Sequence, residues 1–339
     1  MKIAMKNRTM LVMGIFLAAA MAGCAPTAYK ITPIPISEEL EETIVATDPG
    51  FFLSKIAIID IDGVLLNSRE MPLLGSGENK MALLIEKLRK AAADPCVKAV
   101  VLRINSPGGS VTASDIIYKE VLKVRNGDPC RGIPGKPVVA SMLDVAASGG
   151  YYVACAADRI VAEPTSVTGS IGVVMMTWNA KGLLDKIGVS TDAIKSGPNK
   201  DAASPFRPMK PEERQIFQTM IDEYYQRFLA VVEQSRSELT AGQIREIADG
   251  RVYTGSQALK LKLVDSEGSL DDALVLAKEL ADVKKARVVI YHRPVGYRGN
   301  IYAAARASDP KPAASSSLVN IPVPDYLQQQ GSFLYLWQP

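Results

Sequence analysis

Short runs of β-branched and other apolar residues alternate with helix-length segments over the first half of this chain. The strand-like runs are residues 56–61, 97–104, 137–142, 159–162 and 171–177. Between them, residues 79–93 and 112–125 have helical spacing, with Met81, Leu84, Ile85 and Leu88 on one face of the first helix. Alternation of this kind predicts an α/β fold with a parallel sheet and crossover helices.

The second half is predicted to be mainly helical. A long amphipathic helix over residues 211–236 begins with Pro211-Glu212-Glu213, which suits a helix N-terminus. Shorter helices follow near 240–249, 255–262 and 269–282, and a last strand is expected at residues 287–291. The apolar stretch 333–337 near the end is either a docking strand or a surface for a partner.

The N-terminus has the pattern of an export signal. Basic residues precede the apolar run Met10–Met21, which is too short to span a bilayer well, and Ala-Gly then leads into Cys24. This ending resembles a bacterial lipoprotein box, in which the cysteine is lipidated. An ordinary signal peptide with an incidental cysteine and an uncleaved signal-anchor are the alternatives. We therefore divide the chain into a signal (1–23), a tether (24–53), a main domain (54–291) and a tail (292–339).

Charge and cysteine content limit the possible functions. The formal charge of +3 resides in the three basic residues of the signal, so the remainder is neutral and gives no support for nucleic-acid binding. Cys155 lies in a small apolar run typical of a buried thiol. Cys96 and Cys130 each precede a strand-like segment, and in an exported protein they could pair as a disulfide or remain free. Neither zinc-type Cys/His spacing nor a P-loop occurs.

Ser148 and Lys200 form the strongest candidate for catalysis. Ser148 stands among small residues in Ala146-Ala147-Ser148-Gly149-Gly150, where its hydroxyl would be sterically open. A serine nucleophile needs a base, and His292 is the one histidine of the chain. Lysine is the common substitute, provided that burial keeps its amine neutral. Each residue alone is weak, because this serine motif also makes ordinary turns and most loop lysines are solvated.

Two further motifs strengthen the pair. The sequence Asn105-Ser106-Pro107-Gly108-Gly109 follows a strand, where backbone N–H groups can stabilise an oxyanion, and the Gly149 N–H would be a second donor. In the second motif, Thr168 to Gly172, the Ser170 hydroxyl could orient the lysine amine or simply satisfy its own turn.

These motifs, with Ser196-Gly197 before Lys200-Asp201 and with residues 250–255 further on, resemble in order and spacing the signal peptide peptidase A family. The resemblance covers roughly residues 55–285. It implies a crotonase/Clp-protease-like fold and a serine peptidase that degrades cleaved signal peptides without metal or cofactor. By position it implies Ser148 as nucleophile, Lys200 as base, Ser170 as the lysine-orienting residue, and Gly109 and Gly149 as oxyanion donors; Gly108 remains an alternative donor.

The resemblance also implies a setting. A peptidase of this type is expected on the periplasmic side of the bacterial cell envelope, as a homo-oligomeric ring with peptide substrates, here held at a membrane by the lipid on Cys24. By resemblance to lipoprotein signals, Ala25 after that cysteine would favour outer-membrane sorting in a two-membrane bacterium. The alternatives are a crotonase-type enzyme that handles acyl-CoA and a non-catalytic envelope scaffold.

Overall fold

The structure is a computed structural model, and it describes residues 39–68, 79–293 and 332–337. The predicted signal, Cys24 and most of the tail lie outside these ranges. The strands are β1 (Glu41–Thr47), β2 (Lys55–Asp62), β3 (Val97–Ser106), β4 (Gly108–Ser110), β5 (Gly127–Asp128), β6 (Ile133–Pro134), β7 (Val138–Ala147), β8 (Arg159–Ala162), β9 (Val167–Gly169), β10 (Val174–Met175), β11 (Val252–Thr254), β12 (Ser266–Glu267), β13 (Arg287–His292) and β14 (Phe333–Leu336). The helices are α1 (Lys80–Ala93), α2 (Val111–Asn126), α3 (Gly149–Ala154), α4 (Lys181–Lys186), α5 (Pro211–Ser235), α6 (Ala241–Ile247), α7 (Gly255–Lys260) and α8 (Leu270–Leu280).

A largely parallel sheet forms the centre of the described residues. Its main path runs β1-β13-β2-β3-β7-β8-β12, and all neighbours along it are parallel except β1 and β13. The strand β9 continues parallel to the far end of β7 and pairs antiparallel with β11. This arrangement confirms the predicted α/β fold with crossover helices.

Both faces of the sheet are covered, which explains the continuous apolar runs in its strands. Along β2, Ala57 and Ile59 face the larger core under α1, α2, α3 and α5, whereas Ile56 and Ile58 face a smaller core under α8. All four side chains are buried. The alternation follows from the two-residue period of a strand. The parallel pairing of β3 with β7 places their carboxyl ends at one edge of the sheet, where the candidate site lies.

The main domain begins earlier than the sequence indicates. Residues 41–47, assigned above to the tether, form β1 and pair with β13 from Glu41–His292 to Thr47–Arg287. The segment escapes detection because it is an edge strand with polar and half-exposed residues instead of a buried run. His292 is likewise not in a tail segment: it closes β13, is buried, and its Nε2 is 2.8 Å from the Thr43 hydroxyl.

The predicted disulfide is absent, and Cys96 and Cys130 are free thiols. Cys96 lies in the turn that begins β3, where its N–H donates to the Asp94 carboxylate. Cys130 is exposed in a single 3₁₀ turn at the tip of the β5–β6 hairpin. That hairpin separates Cys130 from β7, so the two cysteines are not at matching ends of neighbouring strands. Cys155 is buried, as the sequence predicts, and burial raises the pKa of its thiol to about 11.

Candidate active site

Ser148 occupies the sharp turn between β7 and α3. Its backbone has φ 52° and ψ −114°, a left-handed conformation that favours glycine and costs a serine about 1–3 kcal/mol. The turn is tight enough to require glycine next, because a Cβ at Gly149 would lie 2.4 Å from Ser114 Oγ. Ser148 makes no side-chain capping bond, so its hydroxyl is not committed to the helix terminus.

Ser170 lies beside Ser148 because β9 runs along the end of β7. The Ser148 N–H donates to the Gly169 carbonyl at 2.8 Å, and the Thr168 hydroxyl donates to the Ala146 carbonyl at 2.7 Å. Ser170 also has a positive φ of 50°, and its N–H is bonded to the Arg251 carbonyl. The structure therefore brings these two predicted site residues together.

The glycine motif after β3 reaches the same place. Gly108 has φ 101°, and a Cβ built on it would lie 2.6 Å from the Gly149 amide nitrogen. The Gly108 carbonyl and the Ser110 N–H both bond to Leu65, at 2.8 and 2.9 Å. Backbone groups alternate in direction along a strand, so the N–H and C=O of Gly109 point away from Leu65. The Gly109 N–H and the Gly149 N–H thus belong to segments in direct contact.

A cavity of about 520 Å³ adjoins the two serines. Its wall is formed by the 170–174 segment, by α5 and the turn after α6, and by the C-terminal residues; it is lined by Ser148, Ser170, Ile171, Gly172, Val173, Val174, Ile221, Asp222, Tyr225, Ala248, Asp249, Gly250, Leu336 and Trp337. The charged residues in this lining are two carboxylates, and Asp249 is already paired with Arg251. Lysine and arginine are absent from this lining, so among the described residues no amine or guanidinium side chain lines the cavity at Ser148.

Lys200 is exposed, and its loop is held by ion pairs of the neighbouring residue Asp201. Its neighbour Asp201 accepts hydrogen bonds from Lys195 at 2.6 Å and from Arg207 at 2.8 Å. Arg207 also bonds Glu213 in the first turn of α5. The Arg207 guanidinium, followed by the Lys195 ammonium, holds the pKa of the Asp201 carboxyl well below its usual range. No sequence pattern indicates this anchor, although Asp201 directly follows the predicted base.

The segment that carries Lys200 presents apolar side chains to solvent. From residue 176 to residue 200 every residue is exposed or half-exposed. Large apolar side chains are exposed along it and just beyond it: Met176, Trp178, Leu183, Ile187, Val189, Ile194 and Phe206. Such a concentration is typical of a surface that binds another protein.

An aromatic group behind Ser148 was also missed by sequence reasoning. The Tyr152 hydroxyl donates to Asp115 at 2.8 Å, and Asp115 also accepts from Arg227 of α5. The Tyr152 ring contacts Phe228 and Tyr335 at centroid distances of 5.1 and 5.2 Å. These contacts fix α3, and with it the Ser148 turn, against α2, α5 and β14. Tyr152 follows Ser148 by four residues, but its partners come from distant segments.

Neither a membrane-spanning helix nor a metal cluster is found within the described ranges. No helix there is long and apolar enough to cross a bilayer. No group of three or more His, Cys, Asp or Glu side chains there could hold a metal ion.

Comparison with known proteins identifies the family. Residues 133–284 match Peptidase family S49, and residues 54–169 match Clp protease. The chain is 35% identical over 255 residues to the putative signal peptide peptidase SppA of Enterococcus faecium, covering 75% of this chain and 71% of that protein. It is 38% identical over 234 residues to the putative protease slr0021 of Synechocystis, covering 69% and 77%. The chain therefore belongs to Peptidase family S49 and has a Clp-protease-like α/β fold.

Another relative is considerably longer than this chain. Protease 4 of Salmonella typhi is 40% identical over 236 residues, which are 70% of this chain and 36% of that protein. The chain thus spans little more than a third of the length of Protease 4.

Proposed function

We propose that this protein is a serine endopeptidase in which Ser148 of one subunit works with Lys200 of a neighbouring subunit. The main support is that, within one chain, the cavity at Ser148 and the loop that carries Lys200 are separate. Ser148 and Ser170 both line one cavity, but that cavity has no basic lining residue among the described residues, and Lys200 is solvent-exposed. If Ser148 is the nucleophile of a peptidase, it needs a base to take its hydroxyl proton.

The chemistry follows from the positions of these groups. The Ser148 oxygen attacks the scissile carbonyl carbon, and the Lys200 amine takes the hydroxyl proton. The N–H groups of Gly109 and Gly149 bind the resulting oxyanion. When the C–N bond breaks, the ammonium returns the proton to the leaving amine. Water then attacks the acyl-enzyme, with the same amine as base, and releases Ser148. Ser170, which shares the cavity wall with Ser148, would accept or donate a hydrogen bond to hold the amine in place.

A subunit interface would give Lys200 the environment that catalysis requires. An amine acts as a base only when neutral, and removal from water favours the neutral form. The exposed apolar side chains between Met176 and Phe206 would be buried in the same contact. Because the Ser148 cavity and the Lys200 loop are different surfaces, the contact is head-to-tail, and such contacts close into rings when the rotation allows.

The substrate and location are proposed from the relatives and the N-terminal pattern. A relative bears the name signal peptide peptidase, so we propose short apolar peptides derived from cleaved signal peptides as substrates. We place the enzyme in the cell envelope on the periplasmic side, held by a lipid on Cys24. Incorporation of an alkyne-labelled fatty acid by the wild type, and its loss in Cys24→Ser, tests the anchor.

The proposed function is tested by paired lysine and serine variants. We expect Ser148→Ala and Lys200→Ala each to lower turnover of a fluorogenic signal-peptide-like substrate about 10³-fold or more, because each removes one member of a unit. Lys186→Ala is the matched control, since Lys186 is an exposed lysine of the same segment. A wild type without turnover would support the scaffold alternative. Full activity in Lys200→Ala would refute the dyad.

A further inference from the structure

The segment after β2, residues 63–65, forms a brace against the glycine motif that follows β3. The Leu65 N–H donates to the Gly108 carbonyl at 2.8 Å, and the Leu65 carbonyl accepts from the Ser110 N–H at 2.9 Å. Leu65 is buried and forms an isolated parallel bridge with Gly109. The brace is therefore bonded to the motif on both sides of Gly109.

These bonds fix the direction of the Gly109 N–H. The Gly108 carbonyl and the Gly109 N–H belong to the same peptide unit, and in a planar trans peptide the two groups point in opposite directions. Because the carbonyl points at Leu65, the N–H points away from it. Two adjacent glycines place few steric limits on φ and ψ, and Gly108 has φ 101°. This peptide unit would therefore rotate easily if the bonds around it were lost.

Ser106 provides a side-chain contact between the brace and the motif. It is fully buried, and its hydroxyl donates to the Gly63 carbonyl at 2.6 Å and accepts from the Gly108 N–H at 3.1 Å. One hydroxyl thus joins the brace to the peptide unit that precedes the proposed oxyanion donor. Since the Gly108 N–H is already bonded to Ser106, the geometry favours Gly109 over Gly108 as that donor.

Ser106 also lies beside the turn that carries the second proposed donor. A Cβ built on Gly150 would lie 2.7 Å from the Ser106 carbonyl oxygen and 3.5 Å from the Ser106 Cβ. Gly150 directly follows Gly149 at the start of α3. Ser106 therefore contacts the segments of both proposed donors and is in a position to hold them at a fixed separation.

We propose that Ser106 is a positioning residue of the active site, whose hydroxyl holds the Gly108 N–H and so directs the Gly109 N–H at the developing oxyanion. The proposal rests on the proposed peptidase function. Stabilisation of an oxyanion depends on donors that are oriented before the reaction, and loss of one donor lowers kcat about 10²- to 10³-fold. Because Ser106 is fully buried, it acts through the glycine backbone and not by contact with the substrate.

Two peptide ligands separate oxyanion binding from ground-state binding. With a peptide aldehyde, the Ser148 oxygen adds reversibly to the aldehyde carbon, the hydroxyl proton passes to the base, and the aldehyde oxygen becomes the oxyanion of a hemiacetal. The peptide alcohol of the same sequence binds without this step. We expect Ser106→Ala to weaken binding of the aldehyde about tenfold or more and that of the alcohol less than about twofold. It should lower kcat about tenfold or more, with KM within about twofold of the wild type.

Ser166→Ala is the matched control. Ser166 is also a fully buried serine, but its hydroxyl lies 3.0 and 2.5 Å from the carbonyls of Met142 and Leu143, which are outside the glycine motif. Its loss should lower the free energy of unfolding, as the loss of Ser106 does, and leave the ratio of aldehyde affinity to alcohol affinity unchanged. Equal reductions of this ratio in Ser106→Ala and Ser166→Ala would mean that general loosening of the fold causes the effect, and would overturn the proposal.

A second variant keeps the test valid if Ser106→Ala does not fold. Ser106→Cys retains a similar shape, but a thiol is a weaker donor and acceptor than a hydroxyl. We expect a selective loss of aldehyde affinity of about threefold or more. A wild type that binds the aldehyde no more tightly than the alcohol would refute the proposed function, and this proposal with it. A wild type that prefers the aldehyde, with the same preference in the Ser106 variants, would overturn the positioning role alone.

Discussion

The backbone N–H of Ser148 donates a 2.8 Å hydrogen bond to the carbonyl of Gly169, the residue directly before Ser170. The bond therefore holds Ser170 close to the candidate nucleophile. This bond joins the end of β7 to the end of β9 and makes the positions of the two serines interdependent. A base that enters the cavity would meet both hydroxyls at once. This contact explains why the Ser148 motif and the Ser170 motif, which are separated in the sequence, lie together in the fold.

Complementation between inactive subunits distinguishes a shared site from a site within one chain. When Ser148→Ala and Lys200→Ala chains are co-expressed at equal levels and assemble at random, about a quarter of the head-to-tail contacts join an intact Ser148 to an intact Lys200. We therefore expect about a quarter of wild-type activity in purified mixed rings. A mixture of Ser148→Ala with the double variant is the control and should be inactive. Inactive mixed rings of the first kind would place both residues in one chain.

The rate should rise with pH on the acidic side of the optimum. The general base must lose its proton before it can accept one from Ser148, so acylation speeds up as the amine becomes neutral. The measurement is kcat/KM between pH 6 and 10, together with the rate of the acylation burst. A profile that stays flat while acylation limits turnover is incompatible with an amine base.

Two substitutions of Ser170 should have similar effects on catalysis but different effects on stability. Ser170→Ala and Ser170→Gly both remove the hydroxyl, and we expect each to lower kcat about 10- to 100-fold. They should differ in stability, because φ of 50° is unfavourable for alanine and free for glycine. We expect the glycine variant to be more stable than the alanine variant by about 1 kcal/mol in urea unfolding. Equal kcat in wild type and both variants would exclude a role for the hydroxyl.

Lys136 should make the fold more stable under alkaline conditions. Its ammonium is buried against the last carbonyls of α1, at 2.6 Å from Ala91 O, and burial lowers its pKa to about 8. The unfolded chain keeps the proton up to about pH 10.5, so the native state binds fewer protons between pH 8 and 10.5 and stability rises through that window.

The matched variant for this effect is Lys136→Met. Between pH 7.5 and 9.5 the free energy of unfolding of the wild type should increase by about 2 kcal/mol relative to Lys136→Met. Parallel pH curves for the two proteins would contradict the assignment to Lys136. The comparison also separates a gain in stability from the catalytic pH profile.

The central sheet could be predicted from the sequence because its strands are buried on both faces. Such strands are unbroken apolar runs, as in residues 97–104, and need no partner to be recognised. The edge strand β1 lacks this signal, since its outward residues include Glu41 and Glu42. The two expectations for residues 333–337 were equally compatible with the pattern; the structure forms a docked strand, because its partners lie in β4 and β10.

The candidate site was predictable only as far as local motifs determine it. Ser148, Ser170, Gly109 and Gly149 each lie in or beside a tight connection that follows a strand and is rich in small residues, and β3, β7 and β9 end close together. In the proposed shared site, the environment of Lys200 would depend on a neighbouring subunit, which no local pattern specifies. The disulfide expectation failed for a similar reason, since the β5–β6 hairpin displaces Cys130 from the strand that follows it.

The positive φ of Ser148 has a consequence for how this protein can be improved or can evolve. We expect a glycine at that position to relax the turn and raise the melting temperature, while removing the hydroxyl of the proposed nucleophile. A search for heat-resistant variants that ignores activity would therefore tend to select the loss of this residue. Thermal stability and catalytic turnover are expected to make opposite demands on this one position, so a screen for stable variants has to measure both.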